Sequence, residues 1–187
     1  MHAPGSPSRR AWLVGLATLG LVPLAGCVSR PLRPTNDDGT YCHREGKPTR
    51  RKLTCTQQPV PAAAVEDEAQ RFLPDPAAVT VVLVRRSWAD APRAVPVSVD
   101  GQLRAMTVPQ SWVRLRLPPG RHQLGIAWEG GTAQTTVEGL AGDVRYVELA
   151  VSSWAWATYM ALEATTAGRA QRHALASRLV ADVRLLP

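Results

Sequence analysis

From Val79 onward, turn residues cut the chain into short β-branched runs at nearly regular intervals, and this spacing limits it to few folds. Val79–Arg86 reads Val-Thr-Val-Val-Leu-Val-Arg-Arg, and branched side chains suit a pleated, half-buried surface. In Ala94–Val99 a period of two puts Val95, Val97 and Val99 on one face. Asp100-Gly101 follows at once as a two-residue hairpin signal. Leu103–Val108 returns, and Trp112–Leu117 alternates apolar residues with arginine. Pro118-Pro119-Gly120 leads into Arg121–Trp128, Glu129-Gly130-Gly131 into Thr132–Glu138, and Gly142-Asp143 into Val144–Val151. The pattern predicts a further strand over Trp156–Ala164 and a helix over Gly168–Leu179. Short strands punctuated this way point to a mainly all-β fold, a small antiparallel β-sandwich or barrel-like domain with a short C-terminal helix. Residues 77–187 are expected to be that domain, long enough to bury a core without metal or further disulfides.

The N-terminus reads as an address. Met1–Arg10 holds two arginines and no acid, and Ala11–Ser29 carries no charge and is rich in Leu, Val, Ala and Gly. A cationic head, an apolar run and small residues at its end are the parts of an export signal. The run closes on Leu24-Ala25-Gly26-Cys27. That sequence resembles the lipobox of bacterial lipoproteins, in which an apolar residue and two small residues precede the cysteine. The resemblance implies a signal peptide over residues 1–26, cleavage before Cys27, a diacylglyceryl thioether on its sulfur and a third acyl chain on its new amine. Each buried methylene contributes about 0.8 kcal/mol, and two or more chains make anchoring stable. An uncleaved membrane-spanning helix is the alternative, but Gly15, Gly20, Pro23 and Gly26 make a poor spanning helix. Ser8-Arg9-Arg10-Ala11-Trp12-Leu13 also looks like a twin-arginine export motif. An ordinary secretory signal whose cationic head holds two adjacent arginines is the preferred reading, since such pairs are common in this arginine-heavy chain, and both lead to export.

Lipidation of Cys27 consumes one sulfur of three, leaving Cys42 and Cys55 as a pair. Beyond the inner membrane the compartment is oxidising, so a disulfide is the expectation. Twelve residues separate the two, with Glu45-Gly46-Lys47-Pro48 as a turn signal between extended flanks. A loop of this size restricts the unfolded chain by about 3 kcal/mol in the entropy model. Residues 27–56 therefore read as a lipidated tether with a disulfide-closed hairpin, and 57–76 as a Pro/Ala-rich linker with one or two helical turns near Glu66–Phe72. A zinc site would have only Cys42, His43 and Cys55, without Cys-x-x-Cys spacing. No metal or other cofactor is expected.

The formal net charge is +7. Arg44, Lys47, Arg50, Arg51 and Lys52 gather in the hairpin, where they suit either a solvated turn or contact with anionic lipid headgroups or lipopolysaccharide. Nucleic acid is not an expected partner, because the signal sends the chain elsewhere and no nucleic-acid motif accompanies the charge.

Four marks fall in order: Val82-Leu83-Val84-Arg85-Arg86, Pro96-Val97-Ser98-Val99-Asp100-Gly101, Leu117-Pro118-Pro119-Gly120-Arg121-His122 and Ala141-Gly142-Asp143-Val144-Arg145-Tyr146-Val147. Over about Phe72–Pro187 they resemble the small β-sandwich domain of unknown function found in Gram-negative lipoproteins. That domain is similar in turn to PEGA-type modules, with their V-x-V-D-G hairpin and P-P-G-x-H turn. The resemblance implies a fold and a location in the cell envelope. The expected partners are the membrane, through the lipid anchor, and an envelope protein, lipopolysaccharide or peptidoglycan. It brings no reaction and no catalytic residues. Val28 is not aspartate, which by resemblance to the enterobacterial sorting rule favours the outer membrane, facing the periplasm.

Candidate chemistry is sparse. His2 and His43 lie in the signal and the hairpin, His122 follows the Pro-Pro-Gly turn in a structural position, and His173 lies in the terminal helix. None neighbours a nucleophile elbow. Asp37-Asp38 and Glu66-Asp67-Glu68 are acid clusters in linker-like sequence, where solvated charge is the expectation. The reading is of a non-enzymatic binding or scaffolding domain. Trp154 and Trp156 are two apart, on one face of a strand. With Met160 and Leu162 they form a core-facing stripe, or, exposed, a platform for glycan or the membrane interface.

Overall fold

The computed structural model describes residues 35–45, 52–85, 93–153 and 157–186. Thirteen elements follow in order: β1 (Cys42–Glu45), β2 (Lys52–Cys55), α1 (Ala63–Ala69), β3 (Val79–Arg85), β4 (Val95–Val99), β5 (Gln102–Thr107), β6 (Ser111–Leu117), β7 (Gly120–Trp128), β8 (Gly131–Gly139), β9 (Val144–Ser153), β10 (Thr158–Ala164), α2 (Ala167–Leu175) and β11 (Arg178–Arg184). Strands dominate, and the fold is a β-sandwich. A five-stranded sheet ordered β10-β9-β3-β6-β11 faces a four-stranded sheet ordered β5-β4-β7-β8.

The burial of each strand follows its residue pattern. All seven residues of β3 are buried, as its unbroken apolar run requires of a strand covered on both faces. It sits at the centre of its sheet, antiparallel to β6 and parallel to β9. β4 alternates strictly, with Val95, Val97 and Val99 inside. Asp100 and Gly101 both have positive φ, 51° and 79°, the backbone that a two-residue hairpin matched to strand twist demands. Leu83, Leu115, Leu124, Leu149 and Val97 meet in the core between the sheets, joined by Met160 and Leu162 of β10.

The outer face of the five-stranded sheet is closed by the two helices. Ala170 and Ala174 of α2 and Ala69 of α1 pack on Val82, Val84, Trp112 and Leu179 to form a second cluster. Trp112 is fully buried, with the Phe72 ring 5.8 Å from it centre to centre. A tryptophan thus fills the space that the chain's lone phenylalanine cannot.

Three features differ from the sequence reading. The terminal helix ends at Leu175 rather than Leu179, and an unforeseen strand, β11, follows and runs parallel to β6. A register shift between Leu179 and Ala181 breaks the period of two on which recognition of that strand depends. Second, residues 57–76 do not stand off as a linker. Ala69 is buried, and Arg178 Nη2 donates to the Pro61 carbonyl at 3.1 Å. Third, the acid cluster in that stretch is not merely solvated. Glu66 is buried, 2.7 Å from Arg178 Nη1, and its other oxygen accepts the Leu179 amide at 2.9 Å. Glu68 pairs with Arg114 at 2.6 Å. These partners lie far along the chain, so the acids look unpartnered in sequence.

The hairpin docks as well. Tyr41, immediately before β1, is 4% exposed and belongs to the core between the sheets. The Thr56 amide donates to the Tyr41 carbonyl at 2.8 Å, and the Val60 amide to Gly39 at 3.0 Å. Truncating a buried aromatic to alanine costs about 3–5 kcal/mol. Tyr41→Ala should therefore lower the stability of the whole sandwich by about 3 kcal/mol in urea unfolding. Reducing Cys42–Cys55 should lower its melting temperature too, whereas a free-standing hairpin would leave both unchanged.

Candidate functional site

The Cys42–Cys55 disulfide is present, with an S–S distance of 2.02 Å, closing the β1–β2 hairpin in which the two residues are directly paired. With both sulfurs in that bond, Cys42, His43 and Cys55 cannot supply thiolates to zinc. Among the described residues no three His, Cys, Asp or Glu side chains group as metal ligands.

Of the hairpin cations, Arg44 and Lys52 are exposed, and Leu53 beside them is 56% exposed. Lys47, Arg50 and Arg51 lie outside the described residues, as does Cys27. Arginines of the sandwich have other work. Arg145 pairs with Asp143, Arg169 with Glu148, Arg178 with Glu66 and Arg184 with Asp75. Those charges are matched within the fold, whereas Arg44 and Lys52 face solvent.

Trp154 and Trp156 lie outside the described residues. The described part of their stripe behaves as core: Met160 and Leu162 are buried. β10 begins at Thr158 rather than Trp156. Trp128 was not singled out from sequence, yet it packs on the core and its indole N–H donates to the Thr158 carbonyl at 3.2 Å. Its position at the end of an alternating run, before Glu-Gly-Gly, was the available signal.

The best-defined polar constellation joins two of the sequence marks. His122 Nδ1 lies 2.8 Å from Asp100 Oδ2, and its Nε2 lies 2.8 Å from the Pro118 carbonyl. Asp100 Oδ1 accepts the Gln123 amide at 2.9 Å, and the Asp100 amide donates to the Gln123 carbonyl at 2.9 Å. The aspartate of the Val-x-Val-Asp-Gly turn and the histidine after Pro-Pro-Gly thus clasp the β4–β5 hairpin to the segment that crosses from β6 in one sheet to β7 in the other. A histidine–aspartate pair also begins a hydrolase triad, but there the far nitrogen must be free to take a proton from a nucleophile. Here that nitrogen faces a backbone carbonyl, and the pair is structural. A groove of about 290 Å³ between Thr56–Pro59, β5 and β11 holds no histidine, cysteine or carboxylate.

Both ring nitrogens face acceptors, which suits the imidazolium. Burial pushes the His122 pKa down, but the Asp100 carboxylate and the Pro118 carbonyl outweigh it, and the pKa lies above the ordinary histidine value. The hydrogen bond from His122, aided by the Gln123 amide, holds the Asp100 carboxyl below the ordinary range. The histidine's contribution is therefore complete below about pH 6.5 and is lost as pH rises through the raised value. The aspartate's is present above about pH 3.9 and is lost as pH falls through the lowered one. Melting temperatures of the unsubstituted chain minus those of His122→Gln should be largest between those limits and shrink on the alkaline side. A difference independent of pH would mean the clasp carries no charge.

No family model matches the chain, and no curated protein matches it.

Proposed function

We propose that this chain is a lipid-anchored lipoprotein of the cell envelope whose β-sandwich binds or scaffolds envelope components and performs no catalysis. The observation that carries the reading is the Leu24-Ala25-Gly26-Cys27 sequence at the end of an uncharged run behind Arg9-Arg10. The disulfide supports it in two ways. It takes up Cys42 and Cys55, leaving Cys27 as the one cysteine for acylation. It also suits an oxidising compartment, where exported proteins fold. Four sequence marks in the order found in lipoproteins with a small β-sandwich, on a chain that is a β-sandwich, favour that family and its PEGA-type relatives. The residue after the cysteine, Val28, favours the outer membrane, facing the periplasm. The exposed Arg44 and Lys52 suit anionic headgroups or lipopolysaccharide near the anchor, with Lys47, Arg50 and Arg51 adjacent in sequence.

Growth with labelled palmitate tests the anchor. Cys27→Ala should abolish labelling and release the protein from membranes or leave it unprocessed. Label retained in that variant would overturn the assignment.

A second reading is a carbohydrate- or peptidoglycan-binding module that uses Trp154 and Trp156. One observation favours it. The described flanks of two tryptophan-bearing segments, 86–92 and 154–156, meet at the same end of the sandwich. Arg85 Nη1 donates to the Arg93 carbonyl at 2.9 Å, Arg93 approaches Glu129 at 3.9 Å, and Trp128 next to Glu129 donates to Thr158. Trp156→Ala separates the readings. A loss of about 3–5 kcal/mol would mark the residue as core. Unchanged melting with lost binding to isolated peptidoglycan would mark a platform.

A further inference from the structure

The two long sides of the sandwich are built differently. On one, the edge strands β5 and β11 each carry a register irregularity, at Arg104 and at Val180. Both hold charged residues, and the Thr56–Pro59 segment lies against them. Bulges, charges and covering segments are how natural sheets keep an edge from pairing with another chain. On the other side β8 is the longest of the four edge strands, nine residues reading Gly-Thr-Ala-Gln-Thr-Thr-Val-Glu-Gly. It has no bulge against β7, no proline, no lysine or arginine, and one charge, at Glu138.

The backbone of β7 fixes which groups of β8 point outward. The Gln123 carbonyl serves Asp100 on the β4 side, so Leu124 and Ile126 direct their backbone groups to β8, onto Thr135 and Ala133. Alternate residues of an antiparallel strand turn the other way. Thr132, Gln134, Thr136 and Glu138 therefore present amides and carbonyls to the free side. Arg145 Nε donates to the Glu138 carbonyl at 2.8 Å, confirming that direction and occupying the last of the four. The other three make no backbone hydrogen bond outside the strand among the described residues.

We propose that the free edge of β8 pairs antiparallel with β8 of a second copy of this chain, about a two-fold axis through Gln134. This register places Gln134 opposite the partner subunit's Gln134, and Thr132 opposite the partner subunit's Thr136. Every residue so paired points its backbone outward, and Glu138, already occupied, lies outside the pairing. The facing side chains are uncharged and polar, so no like charges oppose one another, and each four-stranded sheet continues into its twin. Such an edge-to-edge contact is small and belongs with weak, reversible interfaces.

Cysteine crosslinking of the full chain tests this. Directly opposed, hydrogen-bonded residues stand about 5.5 Å apart at Cα, within disulfide range. Gln134→Cys should give a reducible dimer on mild oxidation, at least tenfold above both the unsubstituted chain and Gln102→Cys on the guarded edge. Adding Thr136→Pro removes an outward amide and spares the β7 ladder, so it should cut the yield at least tenfold with little change in melting. Where that proline prevents folding, Thr136→Lys at the same position should cut the yield likewise. Gln134→Cys crosslinking no better than Gln102→Cys would overturn the proposal. A yield that survives a folded Thr136 variant would overturn it too.

Discussion

Asp182 of β11 holds two arginines of its neighbour β6, with Arg114 at 2.8 Å and Arg116 at 2.9 Å, and Arg114 in turn holds Glu68 of α1. This half-buried charge network ties together three segments that nothing local would keep together. β11 runs parallel to β6, so no tight hairpin turn fixes its register, and parallel pairing is slightly weaker per residue. The bidentate contact of Arg114 with Asp182 supplies the missing register. Burial opposes the charge on Arg114, and the carboxylates of Asp182 and Glu68 more than restore it, raising its pKa. Removing one member of a buried pair costs about 3–5 kcal/mol, because the other is left charged without its partner. That is a large share of the stability of an ordinary domain.

The same pairs explain why the helices lie where they do. α1 is seven residues long, has no side-chain N-cap and holds only Glu66 and Ala69 buried. An isolated helix of that length does not persist in water. Its existence rests on Glu66 with Arg178, Glu68 with Arg114 and the packing of Ala69 on the sheet. α2 is placed similarly, with Arg169 on the buried Glu148 and Gln171 on the Tyr146 hydroxyl.

What could be read from sequence divides along the same line. The Asp100-Gly101 and Glu129-Gly130 hairpins and the strands they join were legible, because the turn residues and the alternation of their neighbours act within a few positions. The Cys42–Cys55 hairpin was legible because reading Leu24-Ala25-Gly26-Cys27 as a lipobox leaves a single pairing among three cysteines. β11 was not, since its bulge hides the alternation and its partner strand lies more than sixty residues earlier. Glu66 looked like solvated charge because Arg178 is distant in sequence. For the Asp100–His122 clasp both turn motifs were visible, but nothing in either showed that they touch. Trp154, Trp156 and Cys27, on which much of the functional reading rests, lie where sequence alone speaks.

The docking of α1 has a consequence for the order of events as the chain folds. Glu66 and Leu179 are 113 residues apart, and Pro61 and Arg178 are 117 apart. During synthesis, α1 is thus completed only by a strand made more than a hundred residues later. The Cys42–Cys55 hairpin can close early, because its ends are near neighbours. α1, by contrast, must wait for nearly the whole chain, and contacts of such long range slow folding. A chain cut before β11 would forfeit Arg178 and Asp182 together, and with them the grip on α1, so a loss at one terminus would be felt at the other.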